Sequence, residues 1–353
     1  MTVLKLGSLF DGIGVFPLAA VHCGMEPVWA SEIEARPISI TKRHFPDMLH
    51  LGDITKISGA EIPPVDVITF GSPCQDLSQI GTRNGFAGKK SSLFYQAMRI
   101  IEEMRYATNG RYPAFCIWEN VAGAFSSNDR LDFAAMLSAF TGAEVSVPPR
   151  GWAHAGMVRG GRADTAWRLL DAQYWGEPAL AQRRKRVFVV ADFAGQRAGE
   201  VLFKPRTVLP FSTISGPGGL SATQRGGVPA AQTGRQVPIV RPFSLRRMRT
   251  MAQVGDQKGF CASFGRGGEP FPTLLASVTA PFSFWYESEE RDGFLRVLTP
   301  LECERLMGLP ENWTKYGCKN EEISDHARYR ALGNSIALPC AEYVMAGIAE
   351  VMN

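Results

Sequence analysis

Short β-branched apolar runs alternate with helical stretches through the first half of the chain, and each run stops at a glycine, a cysteine or a carboxylate. Val3 to Phe10 leads into Asp11-Gly12-Ile13-Gly14 and a helical stretch from Val15 to Cys23, which Gly24 closes as a left-handed residue. Pro27 to Ser31 ends at Glu32, and Met48 to Leu51 ends at Gly52-Asp53-Ile54. Val65 to Phe70 ends at Gly71-Ser72-Pro73-Cys74, and Ala114 to Trp118 ends at Glu119-Asn120-Val121. Helical stretches from Glu34 to His44, Leu93 to Arg105 and Leu131 to Phe140 lie between or after these runs. Strands that alternate with helices predict an α/β fold built on a parallel sheet covered on both faces. Ligands collect beyond the carboxyl ends of the strands in such sheets, so these loops are the candidate site.

The glycine turn at 12–14 would let backbone approach a ligand closely, with an acidic residue about 20 positions on placed to accept hydrogen bonds from a ribose. It lacks the third glycine of a dinucleotide fingerprint, and taken alone it would serve a dinucleotide-dependent oxidoreductase equally well. Cys74 is either a small buried apolar residue or a nucleophile, since only a thiolate reacts. The polar loop from Gln75 to Lys90, with Gly81, Gly85 and Gly88, has the length and composition of a lid. Alternation puts Gln182, Arg184 and Arg186 on one face ahead of a strand from Val187 to Ala191, a stripe able to clamp a carboxylate or carbonyl oxygen. A strand composition also marks Ala166 to Tyr174, after a variable-looking connection from Ser146 to Asp164.

From Gly195 to Arg296 glycine, proline, serine and arginine dominate, and the expected unit is a separate loop-rich β module. Residues 195–300 carry 13 Lys and Arg against 7 Asp and Glu, whereas the remainder carries 25 against 27, so the net charge of +4 resides in that module. Such a bias suits a polyanion. Thr299-Pro300-Leu301-Glu302 reads as a capping box opening a helix that Gly308 stops, and a last amphipathic helix runs from Pro339 to Met352. The expected domains are 1–194, 195–298 and 299–353, the last returning to the first. Seven scattered cysteines without a C-x-x-C pair suit a reducing interior, with neither a metal site nor a disulfide framework. No apolar run is long enough to span a bilayer.

In order and from end to end, these pieces resemble the DNA (cytosine-5) methyltransferase family. Phe10-Asp11-Gly12-Ile13-Gly14 looks like its first cofactor motif, Ser72-Pro73-Cys74-Gln75 its nucleophile motif, and Glu119-Asn120-Val121 its E-N-V motif. Gln182-Arg183-Arg184-Lys185-Arg186 is similar to its Q-x-R-x-R motif, although Ala181 stands where the family usually has proline. Arg296 to Leu306 and Gly333-Asn334-Ser335 resemble the two carboxy-terminal motifs, and Pro272 to Ala276 the T-L-x-A element of the recognition domain.

The resemblance implies a Rossmann-like class I methyltransferase sheet plus a smaller target-recognition domain. S-adenosylmethionine is the implied cofactor and S-adenosylhomocysteine the product. Its site would comprise Phe10 to Gly14, Glu32 on the ribose, Asp53 on the adenine amino group, Ile33 (where an aromatic is common), Ile54, Pro73, Leu93, Asn334 and Ser335. Cys74 would add to carbon 6 of a flipped cytosine, Glu119 would hold a proton at ring nitrogen 3, Arg186 would contact the carbonyl oxygen, and Arg184 would orient Glu119. Gln75, Ser78, Arg83 and Lys89 in the loop, with Arg266 (between Gly265 and Gly268), Thr273 and Leu274 in the module, are the implied DNA contacts. The implied partner is double-stranded DNA, with a cognate restriction endonuclease that forms no stable complex. A monomeric cytoplasmic enzyme of a bacterium or phage-infected host follows, serving restriction-modification or phage protection. An RNA-directed relative is the alternative, disfavoured by the size of the basic module.

Overall fold

A computed structural model of the chain describes residues 3–72, 93–204, 239–242, 271, 273–274, 283–288 and 291–353. Its centre is an eight-stranded sheet of β1 (Lys5–Leu9), β2 (Glu26–Ser31), β3 (Leu49–His50), β4 (Val67–Phe70), β5 (Phe115–Val121), β6 (Ala155–Arg159), β7 (Asp164–Asp171) and β8 (Lys185–Asp192). The order is β3-β2-β1-β4-β5-β8-β7-β6. The first five in that order run parallel, whereas β8, β7 and β6 each run antiparallel to the strand before. The chain leaves β1 for β2 on one side and returns to β4 on the other, so the order reverses at β1 and opens a crevice there.

The described helices are α1 (Val15–His22), α2 (Ala35–His44), α3 (Leu93–Ala107), α4 (Leu131–Thr141), α5 (Ala198–Leu202), α6 (Pro300–Met307), α7 (Asp325–Asn334) and α8 (Leu338–Met352). Strand alternation sorts the sheet's side chains into two cores. Val67, Ile117 and Val190 join α1, α5 and α8 on one face, while Ile68, Phe70, Trp118 and Val189 join α3 and α4 on the other. Burial on both faces is what a central parallel strand requires, and each such side chain contributes about 1.5–3 kcal/mol.

Three features differ from the expectations. The strand expected to stop at Trp118 continues to Val121, so Glu119 lies within β5. The connection 146–164 contains β6, an edge strand whose alternate residues are exposed. The expected boundary at 194/195 precedes a helix, α5, whose Ala198, Val201 and Leu202 are fully buried in the large core. Within 195–298 the described residues include an antiparallel sheet of β9 (Ile239–Pro242), β10 (Ser283–Ser288) and β11 (Arg291–Val297). The capping box holds: the Thr299 hydroxyl accepts from the Glu302 amide at 3.3 Å, and Glu302 accepts from the Thr299 amide at 2.8 Å. Gly308 ends α6 at φ 73°.

Candidate active site

The glycine turn leaves β1 at the crevice with positive φ at alternate residues: Phe10 (55°), Gly12 (60°) and Gly14 (77°). A bulky residue at φ 55° is strained by about 1–2 kcal/mol, so surrounding contacts must hold the turn. They do. The Asp11 amide donates to the Ser31 carbonyl (3.0 Å) and the Gly12 amide to Glu32 Oε2 (2.9 Å). The Gly12 carbonyl accepts from Thr41 Oγ1 (3.2 Å), and the Ile13 carbonyl accepts from the Trp313 indole (2.8 Å). Glu32 Oε1 accepts from the amides of Ile33 and Glu34, which locks the carboxylate beside the turn. Asp53 caps the short helix after β3, accepting from the Thr55 amide and hydroxyl, and these bonds hold its carboxyl below the usual range.

The space between these groups suits a nucleoside. A Cβ on Gly12 or on Gly52 would meet nothing within 4 Å, so both glycines border an opening. Ile33 stands 72% exposed beside it, an apolar surface a base could cover. Ile13 and Ile54, also expected to line the site, are instead 1% and 4% exposed in the two cores, so any contact from them is through backbone. Leu93 begins α3 and is half-buried. Asp11 faces inward: burial pushes its carboxyl up to about 7, with Ser8 and Thr41 hydroxyls nearby drawing it down and Glu32 adding to the rise.

The second half of the site is where β4 and β5 lie side by side, pairing Phe70 with Trp118. One residue further, a Cβ on Gly71 would sit 3.1 Å from Glu119 Oε2, so the glycine makes room for the acid. The Asn120 amide group donates to the Ser72 carbonyl (3.0 Å), and the Trp118 indole donates to Ser72 Oγ (3.1 Å). β5 thereby grips the chain two residues before Cys74. Pro73, Cys74, Gln75, Ser78, Arg83, Lys89 and Arg266 lie outside the described residues. Of the described cysteines, Cys116, Cys303 and Cys340 are buried, and burial pushes each thiol up, the behaviour of core residues.

Because β8 runs antiparallel to β5, its amino end returns to the edge where β5 ends, and Arg186 comes level with Val121. Arg186 Nε lies 3.0 Å from Glu119 Oε1, with side chains 15% and 11% exposed. The contact is at ion-pair distance but off the hydrogen-bond line, since Oε1 accepts no hydrogen bond among the described residues. Burial raises the Glu119 carboxyl above its ordinary range, against the pull of Arg186 and then Arg184. A carboxyl inclined to keep its proton, with an oxygen that accepts no hydrogen bond among the described residues, is equipped to donate to a ring nitrogen.

Arg184, expected to orient Glu119, is held by backbone from two other segments. It is 1% exposed, and its guanidinium donates to the carbonyls of Leu274 (3.0 Å), Gly333 (2.9 Å) and Ser335. The alternation foreseen for 182–186 is present, with Gln182 and Arg184 buried and Arg183 and Lys185 exposed. What orders Arg184, however, is the return of two distant segments, and the ion pair with Glu119 belongs to Arg186. Leu274, expected at the DNA, is 3% exposed and packs in the core. Thr273 donates its hydroxyl to the Arg183 carbonyl, continuing a ladder in which Phe271 bonds Ala181 and Arg183. Asn334 is exposed at the end of α7, and Ser335 is half-buried beside Arg184's partners. Trp313 and Thr41, which hold the turn, carried no motif signal. Trp313 lies 300 positions from its partner.

An open sheet with a fastened glycine turn at its switch point, and a buried acid–guanidinium pair next door, makes a Rossmann-like α/β fold. The chain belongs to the C-5 cytosine-specific DNA methylase family, whose model matches residues 4–205 and 246–350. That family methylates cytosine in DNA with S-adenosylmethionine as donor. Among similar proteins, the DNA N-6-adenine-methyltransferase of Escherichia phage P1 is 24% identical over 98% of this chain, which spans 61% of that protein's length. The type II methyltransferase M1.ScrFI of Lactococcus lactis subsp. cremoris is 26% identical over 99% of this chain and 78% of its own. The crystal structure of S. pombe Dnmt2 methyltransferase shares the fold at a TM-score of 0.61 and 16% identity, covering 99% of both chains.

Proposed function

We propose that this chain methylates carbon 5 of a flipped-out cytosine within a specific duplex sequence, with Cys74 as nucleophile and Glu119 as the acid that activates the ring. The observation that carries this reading is the Glu119–Arg186 pair on β5 and β8, beside the point where Asn120 grips Ser72 ahead of Cys74. Cytosine carbon 5 is a poor nucleophile. Addition of the Cys74 thiolate to carbon 6 makes it enamine-like, and a proton held by Glu119 at ring nitrogen 3 draws off the charge. Arg186, already at Glu119, would meet the base's carbonyl oxygen, and its positive charge keeps the acid's rise in check.

The bound cofactor supplies an electrophilic methyl group. Glu32 and the open backbone at Gly12 would hold its ribose, Asp53 its adenine edge, and Ile33 would cover the base. After transfer, loss of the carbon-5 proton lets Cys74 leave. The basic stretch of 195–300 would meet DNA phosphates and read bases in the major groove. Restriction-modification or phage protection is the role we infer, in a monomeric cytoplasmic enzyme whose endonuclease partner acts separately on the same site.

The phage P1 relative's name raises a second reading, methylation of the adenine exocyclic amine. That amine attacks directly and has no need of a thiolate, so Ser72-Pro73-Cys74-Gln75 favours cytosine. DNA from cells expressing the chain should contain 5-methylcytosine in one sequence context by bisulfite sequencing and nucleoside mass spectrometry. N6-methyladenine with unmodified cytosine would overturn the assignment.

A further inference from the structure

The carboxy-terminal segment reaches back to the amino-terminal glycine turn through the buried side chain of Trp313. Trp313 is 5% exposed, and its indole N–H donates to the Ile13 carbonyl at 2.8 Å. Its ring stacks on His44 of α2, with centroids 3.5 Å apart and planes 5° from parallel, and Phe45 meets it edge-on at 6.1 Å. The Trp313 carbonyl in turn accepts from His44 Nε2 at 2.8 Å.

Glu304 of α6 sets the position of this ring. Fully buried, its carboxylate accepts from the amides on either side of Trp313, Asn312 at Oε2 (2.8 Å) and Thr314 at Oε1 (2.8 Å). The Thr314 hydroxyl (2.5 Å) and Arg328 Nη2 (3.1 Å) complete the shell of Oε1. Every member of this buried network is satisfied, which makes its geometry rigid. The rigid end is aimed at one carbonyl of the turn, between Gly12 and Gly14, where two glycines leave the backbone the most conformational freedom to lose.

We propose that Trp313 is a positioning residue for the cofactor: held by Glu304 and His44, it fixes the Ile13 carbonyl and so presets the 10–14 turn to receive the nucleoside. This rests on the reading of that turn as the cofactor site. Trp313 is not placed against the cofactor; it acts through the turn's backbone. Removing the donor strands a buried carbonyl, and the turn then regains freedom that binding must remove.

The test is calorimetric titration of S-adenosylhomocysteine into the full-length Trp313→Phe variant, which keeps a ring against His44 and lacks the N–H. Duplex-DNA affinity and Tm are measured in parallel. We expect S-adenosylhomocysteine affinity to fall about five- to tenfold while DNA affinity stays at the wild-type value. A His44→Leu variant, which removes the stacked ring, should lose less in the same direction, and it decides the matter alone if Trp313→Phe does not fold. Wild-type S-adenosylhomocysteine affinity in the folded variants would overturn the proposal. So would parallel losses of both affinities that track Tm, the mark of a structural role only. Failure of the wild-type protein itself to bind S-adenosylhomocysteine would instead strike the reading of the turn beneath it.

Discussion

Replacing Arg184 with methionine separates a structural role from a chemical one. The guanidinium is 1% exposed and satisfies three backbone carbonyls, those of Leu274, Gly333 and Ser335. Methionine fills most of the volume and bonds none of them. Each stranded carbonyl costs about 1–3 kcal/mol, and the relief of a buried charge offsets part of the sum. We expect a net loss of about 3 kcal/mol, a drop in Tm of roughly 4 °C for a chain of this size. Guanidinium chloride unfolding and a thermal scan would measure it. Glu119 keeps its partner, because Arg186 on the neighbouring strand β8 stands 3.0 Å away. Turnover per folded molecule, assayed well below the new Tm, should therefore fall by no more than about tenfold. An unchanged Tm with turnover lost by a factor of hundreds would refute this reasoning and return Arg184 to the chemistry.

Glu119→Gln should lower tritium release from carbon-5-labelled cytosine DNA by about 10²- to 10⁴-fold with Tm and DNA affinity little changed, the cost of losing a positioned acid. Asn120→Ala frees the Ser72 carbonyl from its 3.0 Å bond and should reduce both Tm and turnover, by about 1–2 kcal/mol in stability as read by denaturant unfolding. Asp11 gives a pH signature. Its folded carboxyl, pushed up to about 7 by burial, keeps a proton that the unfolded chain releases near 3.8, so its contribution to stability falls as pH rises through that interval and is flat above 7. The gap in Tm between Asp11→Asn and wild type should therefore move in the variant's favour from pH 5 to pH 8; a gap that stays constant would rule out a buried neutral Asp11.

The parts of the fold legible in sequence were those set by local chemistry. The left-handed Gly24, the capping box at Thr299 and Glu302, and the strands leading to Gly71 and Glu119 each follow from a turn, a cap or a β-branched apolar run. The alternation of 182–186 was also readable, although the extended segment carrying it mostly precedes β8. Strand β6 was not, because a five-residue edge strand, Ala155-Gly156-Met157-Val158-Arg159, is too short and too exposed to show an apolar period. Nor could periodicity decide between Arg184 and Arg186. Both lie on one face, and the choice came from which carbonyls the 274 and 333–335 segments brought to Arg184 and from the antiparallel return of β8 beside Glu119. Trp313 shows the same limit, its partner being chosen by tertiary structure across almost the whole chain.

A duplex carrying 5-fluorocytosine at the target position tests the central chemistry most directly. Fluorine blocks the loss of a proton from carbon 5, so in the presence of S-adenosylmethionine wild-type protein should remain covalently joined to the DNA through Cys74, seen as a denaturant-resistant band and a peptide–nucleotide adduct by mass spectrometry. The Cys74→Ser variant should form none while still binding the duplex. A methylated product released from the fluorinated site without any adduct, or an equal adduct in the serine variant, would contradict covalent catalysis at that cysteine.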